Sequence, residues 1–140
     1  MTDDPLTLQA SCIAVDGRGL LLRGPSGAGK SATALHLMAL GAVLVADDMV
    51  LLSRQGDRVI AGCPPAGRGL IEARGLGLLR ATPAPPVPLS HVVDLGPAGA
   101  RLPPHRQVTI LGCDLPLHRC PGGLESAGAL MQLMRAGRHA

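Results

Sequence analysis

No phenylalanine, tyrosine or tryptophan occurs anywhere in the 140 residues. That excludes recognition of single-stranded nucleic acid by base stacking, which needs aromatic faces. It also leaves the core to Leu, Val, Ile, Ala and Met, which pack well but each bury less area than an aromatic ring. Subunit contacts are therefore expected to add to stability. Asparagine is missing as well, and of the 13 basic residues Lys30 alone is lysine. Abundant Ala, Gly, Pro and Arg beside these absences reads as a GC-rich genome, so composition by itself says little about function. The net charge is only +3 and the arginines are scattered, leaving no basic stripe for a nucleic acid. No run of about 18 apolar residues is available to span a membrane. The opening MTDDP is acidic and polar rather than a leader, so a cytoplasmic protein with reduced thiols is expected. Cys12, Cys63, Cys113 and Cys120 form no C-x-x-C pair. Cys113, His118 and Cys120 lie close together, but without a second ligand pair they read as buried thiols and a surface histidine rather than a metal site.

What is present has the length of one domain, residues 1–140. Residues 8–15 are apolar and partly β-branched, and a turn, Asp16-Gly17-Arg18-Gly19, separates them from a second apolar run at 20–23. This predicts strand, tight turn, strand. Helical apolar spacing follows over 31–40, with Gly41 placed as a left-handed C-cap. Residues 42–46 read as a buried strand ending at Asp47-Asp48, and 49–53 with 58–61 as a hairpin around Gln55-Gly56-Asp57. The stretch 63–77 is rich in Gly, Pro and Arg, a strand is read at 76–80, and 83–88 is a proline-stiffened extended connector. Strands are predicted at 90–95 and 108–111, and a closing helix at 124–135. The fold class is α/β, with a mixed, β-rich sheet.

Between the second strand and the first helix stands GPSGAGKS, residues 24–31, which satisfies G-x-x-x-x-G-K-[ST] through Gly24, Gly29, Lys30 and Ser31. Glycines allow the chain of Gly24, Pro25, Ser26, Gly27, Ala28 and Gly29 to curl until successive N–H groups face one point. The helix that starts there favours an anion at its N-terminus. Lysine adds a compact charge for the β- and γ-phosphates, where arginine's wide fork would not fit, and Ser31 offers a hydroxyl to Mg²⁺. The pattern implies ATP or another nucleoside triphosphate, without saying what becomes of the γ-phosphate.

VLVADD, residues 43–48, places two acids at the end of a buried strand, with the loop serine only 16 residues upstream. Side chains alternate along a strand, but a turn at its end can bring both acids to one site. A division of labour follows, Asp47 toward the metal and Asp48 toward an incoming hydroxyl as general base. Glu72 and Arg74, in the glycine-rich segment that follows, can serve metal and phosphate or form a surface ion pair.

GPSGAGKSATAL, VLVADD and IEARGLG together resemble the catalytic domain of HPr kinase/phosphorylase, over about residues 8–116. IEARGLG, residues 71–77, resembles that family's signature segment and is more specific than the glycine loop. The chain looks like the short form that lacks the separate N-terminal domain. The resemblance implies a P-loop core of the HPr kinase/phosphoenolpyruvate carboxykinase type, with a P-loop helix and a C-terminal helix. It implies ATP and Mg²⁺ as cofactors, the phosphocarrier HPr as partner, phosphorylation of one of its serines, and a ring of subunits, commonly a hexamer. By the same resemblance Lys30 would act on the phosphates, Ser31, Asp47 and Glu72 at the metal, Asp48 as base, and Arg74 and Arg101 as catalytic arginines. Two departures stand out: Gln9 occupies the place of a histidine usual in the family, fifteen residues before Gly24, and residues 116–123 match the dephosphorylation segment poorly. Kinase activity is therefore expected to persist and the phosphorylase direction to be weak. The alternatives are a nucleotide-binding regulator with little catalysis, and a small-molecule kinase or carboxykinase relative, for whose metabolite the short chain leaves little room.

Overall fold

The computed structural model describes residues 4–140. The elements run β1 (Leu6–Gln9), β2 (Ser11–Val15), β3 (Arg18–Arg23), α1 (Lys30–Ala39), β4 (Val43–Ala46), β5 (Met49–Gln55) and β6 (Arg58–Gly62). A 3-10 turn over Pro65–Gly67 leads to β7 (Leu70–Ala73) and β8 (Gly77–Arg80), then β9 (Val87–Leu95), β10 (Arg106–Ile110), β11 (Cys113–Cys120) and α2 (Gly123–Ala136). Among the described residues no helix is long and apolar enough to cross a membrane.

The single strand expected at 8–15 is two, bent at Ala10. β1 pairs with β5 and β2 with β4, both antiparallel. The Ala10 N–H donates to the Asp48 carbonyl at 3.0 Å and carries the ladder across the bend. From there β5 pairs with β6, β6 with β9, β9 with β3, and β3 with β2, so the pairings return to their start. Alternation along these strands separates two apolar clusters. Cys12, Ala14, Leu21 and Val45 point inside the circuit, where Val50, Val59 and Val92 join them. Ile13, Val15, Leu20 and Leu22 point out toward the helices. Small and branched side chains fill a narrow closed sheet, which is how a core without aromatics suffices here. Burial pushes the Cys12 thiol pKa far up and leaves it an inert core group.

β9 changes face midway. Gly19 of β3 pairs with Leu89 but Leu20 pairs with His91, so Ser90 is an extra residue in the ladder. This bulge lets Leu89 and Val92 serve the same interior cluster while Val93 and Leu95 face the helices. The proline connector is also shorter than expected, since Val87 and Pro88 already belong to β9.

α1 and α2 cover the outer face. From α2, Ala127, Leu130, Met131 and Met134 lie at helical spacing against Ala34 and Leu37 of α1. α1 closes as expected: Gly41, at φ +113, donates to Met38, and Ala42 donates to Leu37, the paired bonds of a Schellman cap.

Strands β7 and β11 were not anticipated. The Ile71-Glu72-Ala73-Arg74 alternation does produce a strand, with Ile71 and Ala73 buried and Glu72 and Arg74 exposed. β11 carries Pro116 at its centre. Over residues 113–116 it pairs only with β10, and its parallel partner β9 begins at Leu117, so the missing N–H costs no ladder bond on that side. Cys113 faces the interior cluster and Cys120 packs against the helix-side cluster, on opposite faces of the strand. Among the described residues no group of three or more His, Cys, Asp or Glu is placed to hold a metal ion.

Candidate active site

The loop between β3 and α1 follows from its glycines. Gly27 and Gly29 adopt φ +86 and +94, and a Cβ on Gly24 would stand 2.9 Å from that of Ala28. α1 opens on Gly29 with no side-chain cap and no acid in its first turn. Its leading N–H groups therefore have no internal anion and are available to an external one. The Lys30 ammonium donates to the Gly24 carbonyl at 2.6 Å and to that of Pro25 at 3.1 Å. Three donors on a flexible stem let it hold the loop closed from within and still turn toward an added anion.

At the end of β4 a backbone turn sets the two acids apart. Asp48 sits at φ +70, and the Met49 N–H donates to the Asp47 carbonyl at 2.8 Å across it. This is a three-residue turn of a rare and strained kind, at a residue type that tolerates left-handed geometry. Asp48 is left exposed in a cavity, and Asp47 lies half-buried behind it. The Asp47 carboxylate accepts from Ser31 Oγ at 2.8 and 2.9 Å and from Ser11 Oγ at 2.6 Å, with the Glu72 N–H at 3.4 Å. It thereby ties the glycine loop, β2 and β7 together.

The cavity, of about 650 Å³, is lined by Ser26, Gly27, Gly29, Lys30 and Ser31 of the loop, by Asp48, by Glu72 and Arg74 of the β7–β8 hairpin, and by Gln9 and Ser11. Its size is within the range of small-molecule sites. Gln9, the departure noted in the sequence, thus stands in the cavity, one residue before Ala10, whose N–H is held by Asp48. Gly24, Pro25 and Ala28 form the loop behind the lining. Arg101 is not brought to this site. It lines a separate cavity with Asp94, His118 and Arg138.

Mg²⁺ keeps several waters and takes one or two carboxylates plus substrate phosphates rather than an all-protein cage. Ser31 and Glu72 line the cavity and Asp47, bonded to the Ser31 hydroxyl, lies behind it; a hydroxyl and two carboxylates are all hard oxygen donors, and they fit that requirement.

Two residues of structural consequence escaped sequence reasoning. Ser11 is fully buried and its hydroxyl orients Asp47. Thr33 is also fully buried; its Oγ1 donates to the Gly29 carbonyl at 2.7 Å and accepts from the Gly123 N–H at 2.8 Å, latching the start of α2 to the glycine loop. Ser11 carried a weak signal, a polar residue within an apolar strand; Thr33 carried none beyond helical spacing.

A family model, the HPr Serine kinase C-terminal domain, matches residues 4–83. The HPr kinase/phosphorylase of Alkaliphilus metalliredigens is 45% identical over 75 residues, 53% of this chain and 24% of that protein. That of Bordetella pertussis is 50% identical over 74 residues, 52% of this chain and 24% of that protein. The match thus spans about a quarter of the length of these curated relatives. The solved structure of the Hpr(Ser) kinase/phosphatase from Coxiella burnetii aligns with a TM-score of 0.81 over 93% of this chain and 94% of that one, at 24% identity, a likeness of fold.

Proposed function

The chain belongs to the family of the HPr Serine kinase C-terminal domain, and from that premise we propose that it transfers the γ-phosphoryl group of ATP to a seryl hydroxyl of an HPr-type phosphocarrier. One observation carries the reading: the glycine loop, the strained Asp48 and the Glu72–Arg74 hairpin, three segments far apart in sequence, line one cavity.

In this reading the loop N–H groups of residues 27–31 and the Lys30 ammonium hold the triphosphate. Lys30 gives up its bonds to Gly24 and Pro25 to do so. Ser31, Asp47 and Glu72 would hold Mg²⁺, which would offset the negative charge of the phosphates. Ser11 keeps Asp47 from rotating. Asp48 takes the seryl proton as the serine oxygen bonds to phosphorus and the bridge to the β-phosphate breaks, releasing ADP. Arg74 meets the charge of the transferred group. Positioning and electrostatics supply most of the rate. Gln9 can donate and accept a hydrogen bond but cannot carry a proton, so the forward direction is favoured over phosphate-driven reversal. The reading also places the chain in the cytoplasm and in a homo-oligomer. Leu76 and Leu78, 80% and 64% exposed beside the cavity, are apolar surface that a subunit or protein substrate would cover.

The test is labelled phosphate transfer from ATP to HPr. Asp48→Asn keeps the left-handed backbone and removes the base. Transfer should fall about 10²- to 10⁴-fold while Mg·ATP binding changes little. Transfer at the parental rate would refute the role given to Asp48. Tight nucleotide binding by the parent chain without transfer to HPr would favour a nucleotide-binding regulator, the reading that Gln9 supports.

A further inference from the structure

The second cavity, of about 380 Å³, lies between the loop joining β9 to β10, strand β11 and the chain beyond α2, and shares no lining residue with the first. Four guanidinium groups line it, from Arg101, Arg106, Arg119 and Arg138. Asp94 is the only acidic side chain among the described residues of its lining, and Asp94 is already engaged: Arg23 grips it through two bonds, at 2.7 and 3.0 Å. Arg138 donates to the Pro103 carbonyl, which neutralises none of its charge. Four guanidinium groups therefore outnumber the acidic groups of the lining, an arrangement that costs free energy until an anion enters. The neighbouring imidazoles feel the same field. His118, hydrogen-bonded to His91 at 2.9 Å, has its pKa lowered to about 4, by burial first, then by His91, Arg138 and His105.

We propose that this cavity is a binding site for a small polyanion, a molecule carrying phosphate or carboxylate groups, distinct from the nucleotide site. Planar guanidinium forks match the oxygens of either group two at a time. The volume, at the lower end of small-molecule sites, suits a compact ligand and not a macromolecular segment. Asp94 links the site to the glycine loop, because its partner Arg23 immediately precedes Gly24. This assignment does not depend on the kinase reading.

Sulfate and citrate serve as probes in an NMR-detected titration of the whole chain at about physiological ionic strength. The expected result is saturable shifts of the His118 imidazole and of amides in residues 99–106. The Arg106→Ala/Arg119→Ala double variant should weaken binding about tenfold or more, whereas Arg58→Ala/Arg80→Ala, at arginines elsewhere on the surface, should leave it unchanged. If the alanine pair disturbs folding, judged by thermal unfolding, Arg106→Lys/Arg119→Lys keeps the charge and removes the forks, and an intermediate loss is expected. Response to sulfate alone assigns tetrahedral phosphate-type ligands, and response to citrate alone assigns carboxylates; either supports the site. Shifts confined to residues 24–31, equal affinity in the Arg106/Arg119 variants, or no saturable shift with either probe would overturn it.

Discussion

The two cavities come from opposite halves of the chain and present charge in opposite ways. The first draws its lining from between Gln9 and Arg74, the second from between Asp94 and Ala140. In the first, backbone N–H groups at the start of α1 make the cradle, side chains of both signs surround it, and Asp47 is fixed by three donors from three elements. In the second, guanidinium groups from a loop, two strands and the segment after α2 converge and outnumber the carboxylates beside them. A backbone cradle fixes the spacing of its glycines and lysine along the sequence. Convergent side chains impose no spacing at all, and only the folded chain brings them together. The family match covers 4–83 and so takes in the first cavity and none of the second.

Ser11→Ala is the sharper way to separate the two. It removes a buried hydroxyl that orients Asp47 and creates no orphaned donor. The concentration of Mg²⁺ needed for half-maximal transfer should rise about 10- to 100-fold, and urea unfolding should show a loss of about 1–3 kcal/mol. Sulfate uptake at the arginine cavity should be untouched. An unchanged Mg²⁺ requirement would mean that Ser31 alone positions Asp47.

A smaller effect belongs to the other half. Burial and Arg18 lower the His91 pKa, and His118 is lowered further, to about 4. An unfolded histidine titrates near 6.5, so on acidification the unfolded chain takes up the proton first. This contribution to stability is complete above about pH 6.5 and is lost as pH falls toward 4. His118→Gln should shrink the drop in thermal midpoint between pH 7.5 and pH 5 by on the order of a degree or two, with nucleotide binding unaffected. An identical drop in parent and variant would remove the histidine pair from the account.

Much of the first cavity was legible because its chemistry is local. GPSGAGKS, VLVADD and the Glu72–Arg74 segment announce the loop, the acids and the charged pair, and residues of all three line one cavity; the hairpin that carries the third was not announced. The hydrogen bonds that hold them, from Ser11 and from Thr33, were not legible, since each joins residues whose neighbours in sequence say nothing of the partner. The bend at Ala10 was hidden by an unbroken apolar run: both halves are strands, and only the switch of partner from β5 to β4 separates them. β11 was hidden by Pro116, which is tolerated because one edge of the strand is free at that point. Arg101 illustrates the limit most clearly. A resemblance in sequence put it at the site, and the fold puts it in the other cavity.

The central claim is that the amides around Lys30 receive a triphosphate beside Asp48. The most direct measurement is a residue-resolved ¹⁵N amide map of the chain titrated with Mg²⁺ and a non-hydrolysable ATP analogue. The account predicts the largest shifts at residues 24–31, with smaller ones at Asp48 and at Glu72 to Arg74, and little change at 99–106. Shifts centred on the arginine cavity with the glycine loop unmoved, or no shifts at all, would contradict it.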